Sequence, residues 1–208
     1  MNTIEYLKET YGYSTPIFLK DIRIGGKSKT SIRKDLSRAV EKGEIIRKSQ
    51  GVYYFKNEDR MFGTITFQDI IQIKYIKNDH GIDNLNLDVY GYYSGLSFLN
   101  KIGISQQVPA TLEIVTNKTS CKREITINGM KAIIRRGKIE INRYNYKALQ
   151  FFDVFYLLDK DEVKENRKPL YDYIIKNLTK LDFERYIGLY PTRTLKLIVE
   201  GGLIDAFR

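Results

Sequence analysis

The sequence predicts an α+β protein, because helical and strand-like segments occur in both halves of the chain. In the first half, a basic segment with apolar residues at helical spacing precedes two short strand-like segments. In the second half, Asn128-Gly129 lies between two apolar segments, which is a strong hairpin signal. These observations predict a small helical domain with a hairpin, followed by a mixed α+β domain with a small antiparallel sheet and C-terminal helices.

Three short helices are expected at the N-terminus. The first contains Ile4 and Leu7 and ends near Gly12. Pro16 suits the first turn of a second helix with Ile17, Phe18, Leu19 and Ile22 on its apolar side, and Gly25-Gly26 would form the turn after it. In the third helix, which Ser28 or Thr30 can cap, a buried stripe is expected for Ile32, Leu36, Ala39 and Val40.

Two strands over residues 44–48 and 52–55, joined by Ser49, Gln50 and Gly51, complete the pattern of a winged helix-turn-helix. We therefore predict a DNA-binding domain over residues 1–58 and a second domain over residues 61–208, separated by the polar segment 56–60.

Positive charge is concentrated in the predicted DNA-binding segment. Residues 20–48 contain ten Lys or Arg against four Asp or Glu, a net charge of +6, whereas the whole chain has +10. A helix fits the major groove of B-DNA, where Arg can donate two hydrogen bonds to guanine, while Lys and Ser more often meet phosphates. Contacts at or near the bases are predicted for Lys29, Thr30, Arg33 and Lys34. Backbone contacts are predicted for Lys27, Ser28, Ser37 and Arg38, and contacts from the wing for Arg47, Lys48, Ser49 and Gln50.

Two other interpretations of this segment stay open. The basic side could be the solvated face of an ordinary amphipathic helix, or the winged helix could serve only to dock a protein or to bind RNA.

Composition argues against several enzyme classes. The single cysteine and single histidine leave no multi-Cys zinc site and no obvious Cys-His or Ser-His nucleophile. His80 is expected in a surface turn, and Cys121 is expected to be an inert thiol. No apolar run approaches the ~18 residues of a membrane helix, and no secretion signal is evident. We expect a cytoplasmic protein without catalytic residues, cofactor or metal.

The second domain is expected to contain both element types. Thr66 and Asp69 suggest the start of a helix, and residues 93–102 suggest another. Alternating residues at 110–116 predict a strand, and residues 125–127 and 130–134 the hairpin. Residues 149–158 are apolar nearly all round and predict a buried helix, and Pro169 and Pro191 would open two more.

Several of these segments resemble the C-terminal domain of the AbiEi antitoxin family. The similar segments are GYYSGLSFLNKIG at residues 91–103, QVP at 107–109, EIVT at 113–116, the Asn-Gly hairpin with IIRR at 133–136, the helix at 149–159 and YPTRTL at 190–195. The order of parts, with a winged helix in front of this domain, is similar too.

The resemblance implies a bacterial toxin–antitoxin or abortive-infection system. The N-terminal domain would bind inverted repeats of double-stranded DNA in its own promoter, as a dimer or a cooperative pair. The second domain would counteract a nucleotidyltransferase-type toxin, AbiEii, without requiring a stable direct complex. The alternative is a winged-helix regulator whose C-terminal domain binds protein and which has no toxin partner.

Overall fold

A computed structural model describes residues 2–58, 63–78, 88–127 and 129–207 of the chain. It confirms the α+β class, and the chain divides into two compact units, Met1–Ile73 and Lys74–Arg208. Of the predicted boundary segment 56–60, residues 59 and 60 lie outside the described residues, as does the predicted turn residue His80. No helix in the described part of the chain is both long and apolar enough to cross a membrane.

The first unit contains two main helices and a three-stranded sheet. Helix α1 (Thr3–Tyr11) is followed by strand β1 (Ile17–Phe18), helix α2 (Lys29–Glu41) and strands β2 (Ile46–Ser49) and β3 (Val52–Tyr54). The strand order is β1-β3-β2, with both pairings antiparallel. A core of aliphatic and aromatic side chains joins these elements and includes Leu7, Ile17, Ile22, Ile32 and Leu36. Helix α3 (Phe67–Ile71) follows and runs into a π-helix (Gln72–Ile76).

The second predicted helix of this unit does not form. Ile17 and Phe18 are strand residues that pair with Tyr53 and Val52, and turns without helix follow up to Ser28. The apolar side chains of this segment are buried as expected, since Ile17 and Ile22 are at most 2% exposed. The prediction was wrong only about the backbone conformation. Residues 17 and 18 reach the core by pairing with β3, which lies more than 30 residues further along the chain.

The second unit is built on a four-stranded sheet. It consists of β6 (Gly91–Ser94), β7 (Thr111–Thr116), β8 (Arg123–Ile127) and β9 (Met130–Arg135), in the order β6-β7-β9-β8. The predicted hairpin is present as the antiparallel pair β8–β9, and β6–β7 is antiparallel too. The central pair β7–β9 is parallel, so the sheet is mixed. Two shorter strands, β4 (Lys77–Asn78) and β5 (Asp88–Val89), pair separately.

Helices complete the second unit. Helix α4 (Gly95–Lys101) follows β6, so the predicted helix begins two residues later than Tyr93, which belongs to the strand. The remaining helices are α5 (Tyr146–Asp153), α6 (Lys160–Glu165), α7 (Arg167–Asn177), α8 (Lys180–Tyr186) and α9 (Thr192–Glu200), with short 3-10 helices at Val154–Tyr156, Ile187–Leu189 and Ile204–Ala206.

The predicted buried helix is confirmed in its first part. Phe151, Phe152 and Phe155 are at most 1% exposed, and the Phe151 ring makes edge-on contacts with the other two. Tyr156 and Leu157 are 47% exposed, because the chain tightens into the 3-10 turn at this point and directs them outward.

A buried ion pair connects β6, β9 and α5. The guanidinium of Arg135 donates to Asp153 Oδ2 at 2.6 Å, and the Asp153 side chain is only 1% exposed. Tyr92 and Ser94 donate to the same oxygen at 3.0 and 3.2 Å, while Asp153 Oδ1 has no partner among the described residues. Burial, together with the Asp153 carboxylate, raises the pKa of Tyr92 far above its usual value. Three segments of the second unit therefore depend on one carboxylate.

Removal of this carboxylate should destabilise the second unit. We expect Asp153→Ala to lower its free energy of unfolding by about 3–5 kcal/mol, because Arg135 would keep a partly buried charge without a counterion. Urea unfolding followed by circular dichroism measures the change. The double variant Asp153→Leu/Arg135→Met should recover much of the loss, and Asp172→Asn, at an exposed carboxylate, is the control. A loss below about 1 kcal/mol for Asp153→Ala would contradict the assigned role.

Candidate nucleic-acid interface

Helix α2 has one buried side and one exposed basic side. Ile32, Leu36 and Ala39 are at most 3% exposed, as predicted, whereas Val40, the fourth residue of the predicted stripe, is only partly buried. The opposite side is exposed at all six predicted positions, Lys29, Thr30, Arg33, Lys34, Ser37 and Arg38. Among the described residues, Lys29, Arg33 and Lys34 have no ion-pair or side-chain hydrogen-bond partner. These cations are therefore directed toward solvent.

The first turn of α2 carries a positive charge that does not stabilise the helix. Ser28 is the N-cap residue, and its side-chain oxygen accepts a hydrogen bond from the Ser31 N–H at 3.1 Å. The first turn contains no acidic residue and begins with Lys29. Because the N-terminal end of a helix has a positive partial charge, cations there are mildly destabilising and an anion is favoured. The N-terminal end of α2 is therefore suited to binding an anion.

Lys27 differs from Lys29, Arg33 and Lys34, because its ammonium group already has partners within the protein. Its Nζ donates to Asp35 Oδ2 at 2.8 Å and to Thr3 Oγ1 at 2.6 Å, and Thr3 donates to the same carboxylate oxygen. Thr3 begins α1, whereas Asp35 lies in the middle of α2. This cluster of Thr3, Lys27 and Asp35 fixes the segment before α2 and joins the two helices.

The cluster also stabilises the charged form of Asp35. Hydrogen bonds from Lys27 and Thr3 hold the pKa of the Asp35 carboxyl below its usual value. The charges of Lys27 and Arg38 act in the same direction.

The hairpin β2–β3 provides the second part of the predicted interface. Its turn consists of Gln50 and Gly51, and Gly51 adopts a φ of 73°, which favours glycine. Arg47 and Gln50 are exposed, whereas Lys48 and Ser49 are partly buried. The pairing shifts between Arg47 and Ser49, so the strand contains an irregularity just before the turn. The two predicted strands therefore form a short hairpin with a basic residue near its tip.

The cluster of Thr3, Lys27 and Asp35 was not predicted from the sequence. A spacing of eight residues between Lys27 and Asp35 lies outside the i, i+4 rule, and Thr3 belongs to a different helix. The only available signal was that Asp35 is an acidic residue in an otherwise basic part of α2.

Cys121 and possible metal ligands are the remaining candidates for chemistry. Cys121 is an exposed free thiol. Among the residues that the structure describes, no group of three or more His, Cys, Asp or Glu side chains is placed to hold a metal ion. Tyr92 and Tyr93 are buried and belong to the core.

The lowered pKa of Asp35 predicts a pH-dependent contribution to stability. The cluster should contribute fully above the carboxyl's unfolded pKa of about 3.9, and the contribution should disappear as the pH falls through the lower native value. At neutral pH, Asp35→Asn should cost up to about 1 kcal/mol, as for other partly exposed pairs. Urea unfolding of both proteins over a pH series measures this difference. Glu41→Gln, on the exposed surface of the same helix, is the control, and a difference that persists unchanged at the lowest pH would refute the assignment.

The sequence was compared with protein-family models and with curated proteins. No curated protein matches the chain. A family model matches residues 9–142, which include α2, the hairpin β2–β3 and the four-stranded sheet but not α5–α9. Since the match covers more than half of the sequence, the chain belongs to the family of unknown function DUF6088.

Proposed function

We propose that this protein is a DNA-binding autorepressor and antitoxin that binds inverted repeats in its own promoter and counteracts a nucleotidyltransferase-type toxin. One observation carries the DNA-binding part: α2 buries its apolar stripe and exposes a basic side whose Lys29, Arg33 and Lys34 have no partner among the described residues. The antitoxin part is supported by the resemblance of residues 91–195 to the second domain of AbiEi antitoxins.

We interpret the first unit as a winged helix in which turns replace the second helix. Helix α2 is then the recognition helix, and the hairpin β2–β3 is the wing. Helix α2 enters the major groove, where Arg33 donates to base edges and Lys29, Thr30 and Lys34 contact bases or adjacent phosphates. Ser28, Ser37 and Arg38 contact the backbone, and so do Arg47, Lys48, Ser49 and Gln50 from the wing.

Inverted repeats require two copies of the protein. Their recognition helices would be about 34 Å apart, one turn of B-DNA, if both copies contact the same face of the duplex. Either a dimer or two monomers that bind cooperatively meets this requirement.

The second unit acts by binding rather than by catalysis in this proposal. It needs neither cofactor nor metal, and the protein works in the cytoplasm, where both its promoter and its toxin are found. The toxin is AbiEii-like, and its neutralisation does not require a stable complex.

The basic side of α2 predicts a graded loss of operator binding. Arg33→Ala and Lys34→Ala should each weaken binding to duplex DNA from the upstream promoter by about 1–3 kcal/mol if they contact bases. A variant that removes only a phosphate contact should weaken binding to all sequences and lower the salt dependence by about one counterion. Gel-shift titration at several salt concentrations measures both effects.

Two controls separate this effect from a loss of charge or of stability. Lys176→Ala removes the same charge from an exposed position in α7 and should leave binding unchanged. Lys27→Ala should reduce stability but leave the salt dependence unchanged, because its ammonium group is already paired. The assignment of α2 fails if Arg33→Ala and Lys34→Ala both bind like the wild type, and RNA that competes equally with the duplex would favour an RNA-binding function.

Neutralisation of a toxin is a separate prediction. A nucleotidyltransferase encoded beside this protein should inhibit growth when expressed alone, and co-expression of the full chain should restore growth. Growth curves of the two strains measure the effect. Operator binding without any rescue would instead support a transcriptional regulator that has no toxin partner.

A further inference from the structure

A groove on the four-stranded sheet is not used by the proposed DNA interface. It has a volume of about 540 Å³, and its lining includes Leu96, Val108, Pro109, Thr111, Glu113 and Ile133. The register explains its position, because Glu113 of β7 lies beside Ile133 of the parallel strand β9. Side chains alternate along these strands. Ile114 and Ile134 point to the other face and are buried, whereas Glu113 and Ile133 are partly exposed.

The rim of the groove carries two exposed aliphatic side chains. Val108 is 85% exposed, and Leu96 is 41% exposed. A ligand pocket for a small molecule normally encloses most of its ligand. Here two aliphatic side chains stand at the rim of an open groove, which suits contact with the surface of another protein.

The carboxylate of Glu113 is the charged group among the residues that line the groove. It lies against Gly95, where an added Cβ would come within 2.3 Å of Glu113 Oε1. The basic residues on the same face of β9 have other partners, since Lys131 pairs with Glu124 at 3.1 Å and Arg135 pairs with Asp153 at 2.6 Å. Among the described residues, the Glu113 carboxylate has no hydrogen-bond or ion-pair partner. The groove therefore combines an apolar rim with one negative charge that is available to a cation from outside.

We propose that this groove docks a partner protein through an aliphatic side chain and a neighbouring Lys or Arg. The aliphatic group contacts Leu96, Val108 and Ile133, and the cation pairs with Glu113, where partial burial strengthens the attraction. A second copy of the chain is the weaker fit, because two proteins of charge +10 repel one another. The identity of the partner as the neutralised toxin rests on the proposed function, whereas the chemistry of the groove does not.

The chemistry of the groove is tested on the full chain with hexylammonium as the probe. In methyl-labelled protein, titration with hexylammonium should shift the NMR signals of Leu96, Val108 and Ile133, whereas hexanoate should not. Glu113→Gln should abolish the shifts, and Asp172→Asn, an exposed carboxylate in α7, should retain them. Equal responses to both probes, or shifts that survive in Glu113→Gln, overturn the proposal.

The partner is tested with the nucleotidyltransferase encoded beside the protein. Val108→Asp and Glu113→Lys should each weaken its binding about tenfold or more, as at central interface positions. Val199→Asp and Glu165→Lys are matched controls at exposed positions in α9 and α6, and they should bind like the wild type. A Lys→Glu or Arg→Glu change in the partner should restore binding to Glu113→Lys.

The outcomes distinguish the two proposals. If the wild type rescues growth without binding the nucleotidyltransferase, or if Val108→Asp and Glu113→Lys rescue equally well, the groove is overturned as the docking site while the antitoxin function stands. If the wild type neither binds nor rescues, the antitoxin function fails, and the hexylammonium titration alone decides the chemistry of the groove. A wild-type dimer that Val108→Asp dissociates would show that the occupant is a second copy, which also overturns the proposal.

Discussion

The proposed interface depends on the burial of one side of α2. Ile32, Leu36 and Ala39 fix the rotation of the helix about its axis, and that rotation decides which basic residues face solvent. The cluster of Thr3, Lys27 and Asp35 adds a second constraint, because it ties the segment before α2 to the start of α1. Apolar packing therefore determines which side of α2 faces solvent. The Lys27–Asp35 ion pair fixes the N-terminal end of α2, which in the proposed function lies near the DNA.

Local signals in the sequence were sufficient to predict much of this unit and its site. The Ser28 cap, the period of the apolar stripe and the Gly51 turn each depend on residues a few positions apart. The same holds for the capping box of Thr66 and Asp69 at the start of α3. Short-range hydrogen bonds and helical periodicity are properties of the local chain, so they can be recognised without knowledge of the fold.

The features that were missed depend on contacts that are distant in sequence. Ile17 and Phe18 have the composition of a helix start after proline, but pairing with β3 makes them a strand. The parallel pairing of β7 and β9 depends on how the intervening strand β8 returns along the sheet, which alternation alone does not determine. The partners of Lys27 and Arg135 are acidic residues that come together only in the folded chain.

Net charge is therefore a weaker guide to the site than the pairing of individual cations. Arg135 and Lys131 in the sheet are basic residues, yet each already has a carboxylate partner and serves the fold. Lys29, Arg33 and Lys34 have no such partner among the described residues, and they lie on one exposed side of a single helix. Conversely, Glu113 is an acidic residue in a basic chain, and its carboxylate has no partner among the described residues because Lys131 and Arg135 pair with other carboxylates. In both units, the proposed binding surface joins an unpaired charge to a second feature, a shared helix side for the cations and an apolar groove for Glu113, and overall composition shows neither.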